Sequence, residues 1–372
     1  MSTEDKTLQL PPMPDEPGPS ESTAPIPTQA PSTPTPGAGL QRLTSGRVCP
    51  LCRNRVDGMR CPVDHYLTVD ARAENPEPDL TGAVLGGGYL LEKLLSESAH
   101  SQIYAATQLA IERPVAVKVR RQCDARHLRG IARFQREARI LGALDHPRIV
   151  RLIDMSVTPS GTFFMVLEHL QGESLATLLG RMRLAPQHIL SMGMALADAL
   201  DGVHAAQLVH RNVIPANVVV LRGRREVGAI KLIDFRLVKE LAPEPEVAEA
   251  PAVTRTGELV GDPRYLAPEL IVGGAVTPAT DVYGLGLVVY EMLTGGHGPF
   301  EPSSSIDAAV SHVTATPATP AIDGRPLGGA LVDAVMGLLA KNPAARPADG
   351  AAALELLRDV AALKPQKQLH WR

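Results

Sequence analysis

The chain has 372 residues, 44% of them hydrophobic, with 37 Lys and Arg against 40 Asp and Glu. That apolar share supports a packed core and excludes a wholly disordered chain, and the length suggests about two domains. The near-neutral charge and an aromatic content of 3% argue against a nucleic-acid or anionic-membrane footprint. No run reaches the about 18 apolar residues that a membrane helix needs. Met1–Leu10 carries Glu4 and Asp5 where a secretory leader has a basic and then an apolar stretch. The expectation is a cytoplasmic protein with no membrane span and no nucleic-acid partner.

Residues 1–46 hold ten prolines between Pro11 and Pro36, mixed with Ser, Thr and Gly. Such a segment buries too little apolar surface to offset its ordering entropy and reads as a disordered tail. Thr33-Pro34 and Thr35-Pro36 offer the sharper alternative of a phosphoacceptor or docking element. Residues 47–68 contain Cys49-Pro50-Leu51-Cys52 and then Cys61-Pro62-Val63-Asp64-His65. Two thiolates two residues apart sit on one side of a tetrahedral zinc ion, and Cys61 supplies a third. The fourth ligand is open between His65, the better zinc ligand, and Asp64, which keeps the knuckle spacing. The segment resembles a small zinc ribbon with a structural zinc; three free thiols are the alternative. A metal-stapled module of this size is expected to unfold on chelation without melting the rest of the chain. Residues 69–87, with Glu74–Asp79, read as a linker.

The pattern changes over residues 88–364. Tyr89–Leu95, Gln102–Gln108 and Pro114–Val119 read as three strands, Arg126–Leu144 as a helix, and Ile149–Met155 and Thr162–Glu168 as two more strands. Helical stretches follow at 174–180, 186–206, 278–294, 328–340 and 348–362. Strands first and helices after predict an α+β chain with two lobes. Residues 365–372 are left as a tail.

Short motifs then fall in order. Val115-Ala116-Val117-Lys118 lies on the third strand and Glu137 in the next helix. His210-Arg211-Asn212-Val213-Ile214-Pro215-Ala216-Asn217 precedes Asp234-Phe235-Arg236, Ala267-Pro268-Glu269, Asp281 and Arg346. Each is weak alone; seven in this order resemble a bacterial Ser/Thr-type protein kinase domain from about Tyr89 to Leu363. The resemblance implies a bilobal fold, with a small β-rich N-lobe and a larger helical C-lobe, and implies ATP and Mg²⁺ as cofactors. It assigns Lys118 to the α/β-phosphates with Glu137 as its partner, and Asp234 and Asn217 to Mg²⁺. Ile103 and Ala116 would lie above the adenine and Val219 below. Glu168, His169 and Leu170 would form the hinge beside Leu167, and Glu269–Arg346 a buried structural ion pair.

The departures cluster on the transfer side. Asn212 stands where the family has the Asp that accepts the hydroxyl proton, Ile214 where it has the phosphate-steadying Lys, and Asp262 where it has a bridging Thr. Ser96, Ser98 and Ser101 replace the phosphate-loop glycines, Glu97 adds a negative charge there, and Arg236 replaces the Gly after Asp234-Phe235. The favoured expectation is a pseudokinase that binds ATP, transfers phosphate poorly or not at all, and acts as a regulator or scaffold for protein partners, other kinases or their substrates among them. The alternative is a weakly active ATP-dependent Ser/Thr kinase, with Asp262 as a stand-in base. Thr254 and Thr256 lie where an activation phosphosite would fall, and Arg211 could receive its phosphate.

Overall fold

The computed structural model describes residues 46–70, 73, 75–76, 78–223, 229–241 and 261–371. The proline-rich tail, Thr254, Thr256 and residues 242–260 lie outside them.

Three two-residue strands, β1 (Arg47–Val48), β2 (Arg55–Val56) and β3 (Val69–Asp70), pair antiparallel in the order β2-β1-β3. A six-stranded antiparallel sheet follows. It contains β4 (Val84–Leu85), β5 (Tyr89–Glu97), β6 (Ser101–Gln108) and β7 (Arg113–Arg120), then β8 (Leu152–Val157) and β9 (Phe163–Glu168) after the helix α1 (Leu128–Ala143). The strand order is β4-β5-β6-β7-β9-β8.

Period-two alternation divides this sheet's side chains. Val115, Val117 and Val119 join Leu91, Tyr104, Phe164 and Val166 on one face. Phe163 and Met165 face the other way, against Ile131, Phe134 and Ala138 of α1. Lys118 pairs in register with Met165 and so belongs to the α1 face.

The second lobe is mostly helical. It begins with β10 (Gly172–Ser174), α2 (Leu175–Leu179), α3 (Pro186–Ala205), β11 (Leu208–Val209), β12 (Val218–Leu221), β13 (Ile230–Leu232) and β14 (Lys239–Glu240). It continues with α4 (Pro268–Ile271), α5 (Pro278–Thr294), α6 (Ser305–Thr314), β15 (Ala321–Ile322), β16 (Arg325–Gly328), α7 (Ala330–Leu338) and α8 (Gly350–Ala362). Helix α5 is buried from Ala279 to Thr294, which suits an apolar stretch without a polar face. A Thr277–Thr280 capping box and Pro278 start it, and Gly295 at φ 76° ends it in the left-handed region.

The α+β, two-lobed expectation holds, and the strands and helices read from the sequence fall within a few residues of those observed. Differences arise chiefly where short elements carry no periodicity, and α4 and most of the short strands from β10 to β16 were not anticipated. Residues 69–87, read as a linker, contain β3 and β4, which belong to the two sheets. Residues 365–372, read as a tail, form α9 (Pro365–Gln368) and β17 (His370–Trp371), and β17 pairs with β16. Helix α6 was not anticipated, since only Ala308, Ala309 and His312 of its ten residues are buried.

Candidate functional site

The residues that the motifs single out converge between the two lobes. Lys118 Nζ donates to Glu137 Oε1 at 2.6 Å, and both side chains are buried. The same ammonium lies 3.8 Å from Asp234 Oδ1. Burial works against ionising Asp234, but Lys118 and Arg236 outweigh it and hold the carboxyl below its ordinary range. Asp234 Oδ1 is buried and accepts no hydrogen bond, so this oxygen is an orphaned acceptor of the kind a cation satisfies. Asn217 Nδ2 donates to the Asn212 carbonyl at 3.0 Å, which leaves the Asn217 side-chain oxygen as the end available to a ligand.

The loop that carries Asn212 hangs from α5. Asp281, 1% exposed, accepts from the backbone N–H of His210 and of Arg211, each at 2.7 Å. His204 Nδ1 accepts from Gly350 N, so its Nε2 carries the proton and donates to Asp281 at 3.0 Å. His204 carried no motif and was missed; its signal lies in the fold, 77 residues away from its partner. Arg211 and Asp234 hold positive φ, 62° and 64°. A left-handed conformation at a non-glycine residue costs on the order of 1–2 kcal/mol, and here two such residues lie at the site itself.

The departures have structural consequences. Asn212 Nδ2 donates to Asp234 Oδ2 at 3.3 Å, and Arg236 pairs with that oxygen at 3.0 Å. Arg236 is therefore tied to Asp234. Asp262 is not joined to Asn212. It caps the turn at Pro263–Tyr265 by accepting from Arg264 N at 3.1 Å, and it takes the Arg264 guanidinium at 2.6 Å. Burial opposes its ionisation, yet Arg264 keeps its pKa low, which makes it a weak base. No residue from Ser96 to Ser101 has positive φ, so this turn does not need glycine. Instead Ser98 Oγ accepts from Ser101 N at 3.1 Å and closes the turn. Glu97 pairs with Arg121 at 2.6 Å, so its charge is offset away from Lys118.

The remaining predicted residues take consistent places. Ile103 pairs in register with Lys118, and Ala116 with Leu167. Val218 is buried in the core while Val219 is half-buried, as alternation requires. Glu168 ends β9; its N–H bonds the Arg151 carbonyl at 3.0 Å, and its carboxylate accepts from Lys231 at 2.6 Å. His169 and Leu170 lead from there into β10. His210 and Phe235 stack edge to face at 4.7 Å. Arg346 grips Glu269 through two hydrogen bonds of 2.9 and 3.0 Å.

Residues 89–359 match the protein kinase domain family. The chain belongs to the protein kinase family. Among curated relatives, the serine/threonine-protein kinase pkn3 of Myxococcus xanthus is 31% identical over 282 residues, 74% of this chain and 51% of that protein. The serine/threonine-protein kinase PknA of Mycobacterium tuberculosis is 34% identical over 274 residues, 72% of this chain and 60% of that protein. The chain thus spans between half and three fifths of the length of these relatives. Among the described residues no helix is long and apolar enough to cross a membrane.

Ahead of this kinase domain, Cys49, Cys52, Cys61 and Asp64 bring one ligand atom each within 4.8 Å of one another. Cys49 Sγ lies 3.1 Å and Cys61 Sγ 3.4 Å from Asp64 Oδ2, and Cys52 Sγ lies 3.9 Å from Cys61 Sγ. Of the two candidates for a fourth ligand, Asp64 joins the cluster and His65 does not. His65 sits at φ 57°, exposed, just past the tight turn that Cys61 O closes with His65 N.

The cluster does not stand apart from the kinase domain. Gln135 of α1 bonds both sides of Leu67, accepting from its N–H at 2.7 Å and donating to its carbonyl at 2.8 Å. Arg139 donates to the Asp64 carbonyl at 2.8 Å and covers the Tyr66 ring at 3.8 Å. Val69 and Ala73 share a core with Ile131, Phe134 and Ala138. The helix that carries Glu137 therefore also carries the cysteine segment, and the expectation of an independent module is corrected. Gln135 and Arg139 were missed because nothing local in the sequence links them to residues about 70 positions earlier.

Proposed function

We propose that the chain binds Mg-ATP between its lobes and acts as a Ser/Thr-type protein kinase domain slowed at the transfer step. The observation that carries this reading is the buried Lys118–Glu137 pair set 3.8 Å from Asp234. When bound, Mg-ATP supplies the γ-phosphoryl group and the cation that offsets its charge. Lys118, oriented by Glu137, would hold the α/β-phosphates; Asp234 Oδ1 and the Asn217 side-chain oxygen would take the cation. Ile103, Ala116 and Val219 would enclose the adenine, with backbone groups of Glu168 and Leu170 at its edge. Asn212 can position a hydroxyl but cannot accept its proton. A missing base costs roughly 10²–10⁴-fold in rate.

The Ser/Thr kinase names of the relatives favour the active reading. A pseudokinase that regulates or scaffolds protein partners in the cytoplasm is the second reading. Asn212, and the tie between Asp234 and Arg236, favour it.

We assign zinc to Cys49, Cys52, Cys61 and Asp64. Zinc–sulfur bonds near 2.3 Å in a tetrahedron put sulfurs about 3.8 Å apart and a sulfur and an oxygen about 3.5 Å apart. The 3.9, 3.1 and 3.4 Å separations support that fit. With four protein ligands the role is structural.

Incubation with Mg-ATP or Mn-ATP and generic protein acceptors, followed by intact mass and ADP formation, tests the kinase reading, with Lys118→Ala as control. Lys118-dependent phosphate addition is the expected result. Nucleotide binding without transfer would favour the pseudokinase, and nucleotide affinity unchanged in Lys118→Ala would overturn the assignment of the pocket.

A further inference from the structure

We propose that Arg120 is the centre of a phosphoryl-binding site between the end of β7, the first turn of α1 and the Ser98–His100 turn. Arg120 is two residues beyond Lys118 on the same face of its strand and is only 5% exposed. Its Nε is buried with no hydrogen-bond partner. No carboxylate among the described residues pairs with it, and the acids nearby in sequence or space are committed elsewhere. Asp124 holds Arg126 at 2.7 Å and His127 at 2.9 Å, Glu97 holds Arg121, and Glu137 holds Lys118. A buried cation without a counter-charge is expensive, and few groups tolerate it without a ligand.

The guanidinium reaches the start of α1, where a side chain at Gly130 would collide with Arg120 Nη2. Gly130 is the third residue of that helix. It lies in the first turn, just after the 3-10 turn Ala125–His127, at the positive end of the helix dipole. A cation packed against that end is repelled, whereas an anion bound at the guanidinium beside it offsets both charges. More positive charge surrounds the place. Arg133 lies one turn on, and Arg120, Arg236 and Arg133 all act on His100, whose pKa falls through burial and then through these cations. The Arg121 N–H holds the His100 carbonyl at 3.0 Å, which fixes the turn beside the strand.

A guanidinium fork with an unpartnered Nε, set among further cations, matches a phosphoryl dianion in shape and charge. Two sources carry that group: the terminal phosphate of a nucleotide, or a phosphorylated side chain. The site does not depend on nucleotide binding, so a failure of the kinase reading leaves it testable.

The test uses the full chain and inorganic phosphate at constant ionic strength, with chloride as the control. Calorimetry and thermal melting are expected to show phosphate binding to the wild type. Arg120→Met should weaken it at least tenfold and should melt no lower than the wild type in chloride, having lost an unpaired cation. Arg133→Met, at an exposed position, should weaken phosphate several-fold and serves as the deciding variant if Arg120→Met does not fold. If Arg120→Met also loses ATP affinity but keeps ADP affinity, the ligand is the nucleotide's terminal phosphate. If both affinities hold and O-phosphoserine displaces phosphate with ADP bound, the ligand is a phosphorylated side chain. No phosphate response in the wild type, or an equal response in the variants, would overturn the proposal.

Discussion

Replacing Gln135 by alanine tests whether the cysteine segment is a working part of the kinase domain. Gln135 is 3% exposed and spends its whole amide on the backbone of Leu67. Truncation removes two hydrogen bonds, each worth about 1 kcal/mol net, and strands a partly buried peptide group at a further cost of about 1–2 kcal/mol. The docking should weaken by about 3–4 kcal/mol, which is roughly 150- to 1,000-fold in the opening equilibrium. Contacts of Arg139, Tyr66 and Val69 remain, so the segment should open more often and still be docked most of the time. Hydrogen exchange read by mass spectrometry resolves this by region. Exchange over 47–70 should rise by that factor and over α1 by less, while α5 in the other lobe stays unchanged. Unchanged exchange over 47–70 would refute the argument that Gln135 holds the segment. An equal rise in α5 would mean that the substitution had merely destabilised the whole domain.

Three further outcomes are expected. Asn212→Asp restores a carboxylate beside Asp234 and should raise phosphotransfer by roughly 10²–10⁴-fold, read as ADP release and intact mass; no gain would place the block elsewhere, Arg236 first. Cys61→Ser should abolish stoichiometric zinc in metal analysis. Because the segment shares a core with α1, it should also lower Tm by on the order of 5–10 °C; a domain that melted unchanged would mean that the shared core contributes nothing. Glu291 is buried and its pKa is raised to about 7, chiefly by that burial. The folded state then binds its proton more tightly than the unfolded chain, so this contribution is full at low pH and fades as pH rises through 7, by about 3 kcal/mol in all. The Tm of the wild type relative to Glu291→Gln should fall between about pH 5 and pH 8, and a constant difference would contradict the shift.

Most of the kinase architecture was legible in the sequence because long periodic elements carry their own signal. The alternation in Val115–Val119 and the stripe of Ile131, Phe134 and Ala138 lead directly to β7 and α1. The site residues were legible as ordered motifs, since Lys118, Glu137 and Asp234 are chemically distinctive in apolar surroundings. Short elements were not. The strands β3 and β4 have two residues each, too few for a period, and their pairing comes from neighbours distant in the chain.

Residue identity alone determined which chemical groups are present and which are missing: no carboxylate at 212, no ammonium at 214, three thiols near one carboxylate. Tertiary structure decided what those groups are doing. Asp262 could have been a base until the fold tied it to Arg264, and Glu97 could have faced phosphate until Arg121 took it. His65 was the better zinc ligand by chemistry, but backbone geometry brought Asp64 to the thiols. Hydrogen bonds and ion pairs act over about 3 Å, and only the folded chain decides which residues come that close.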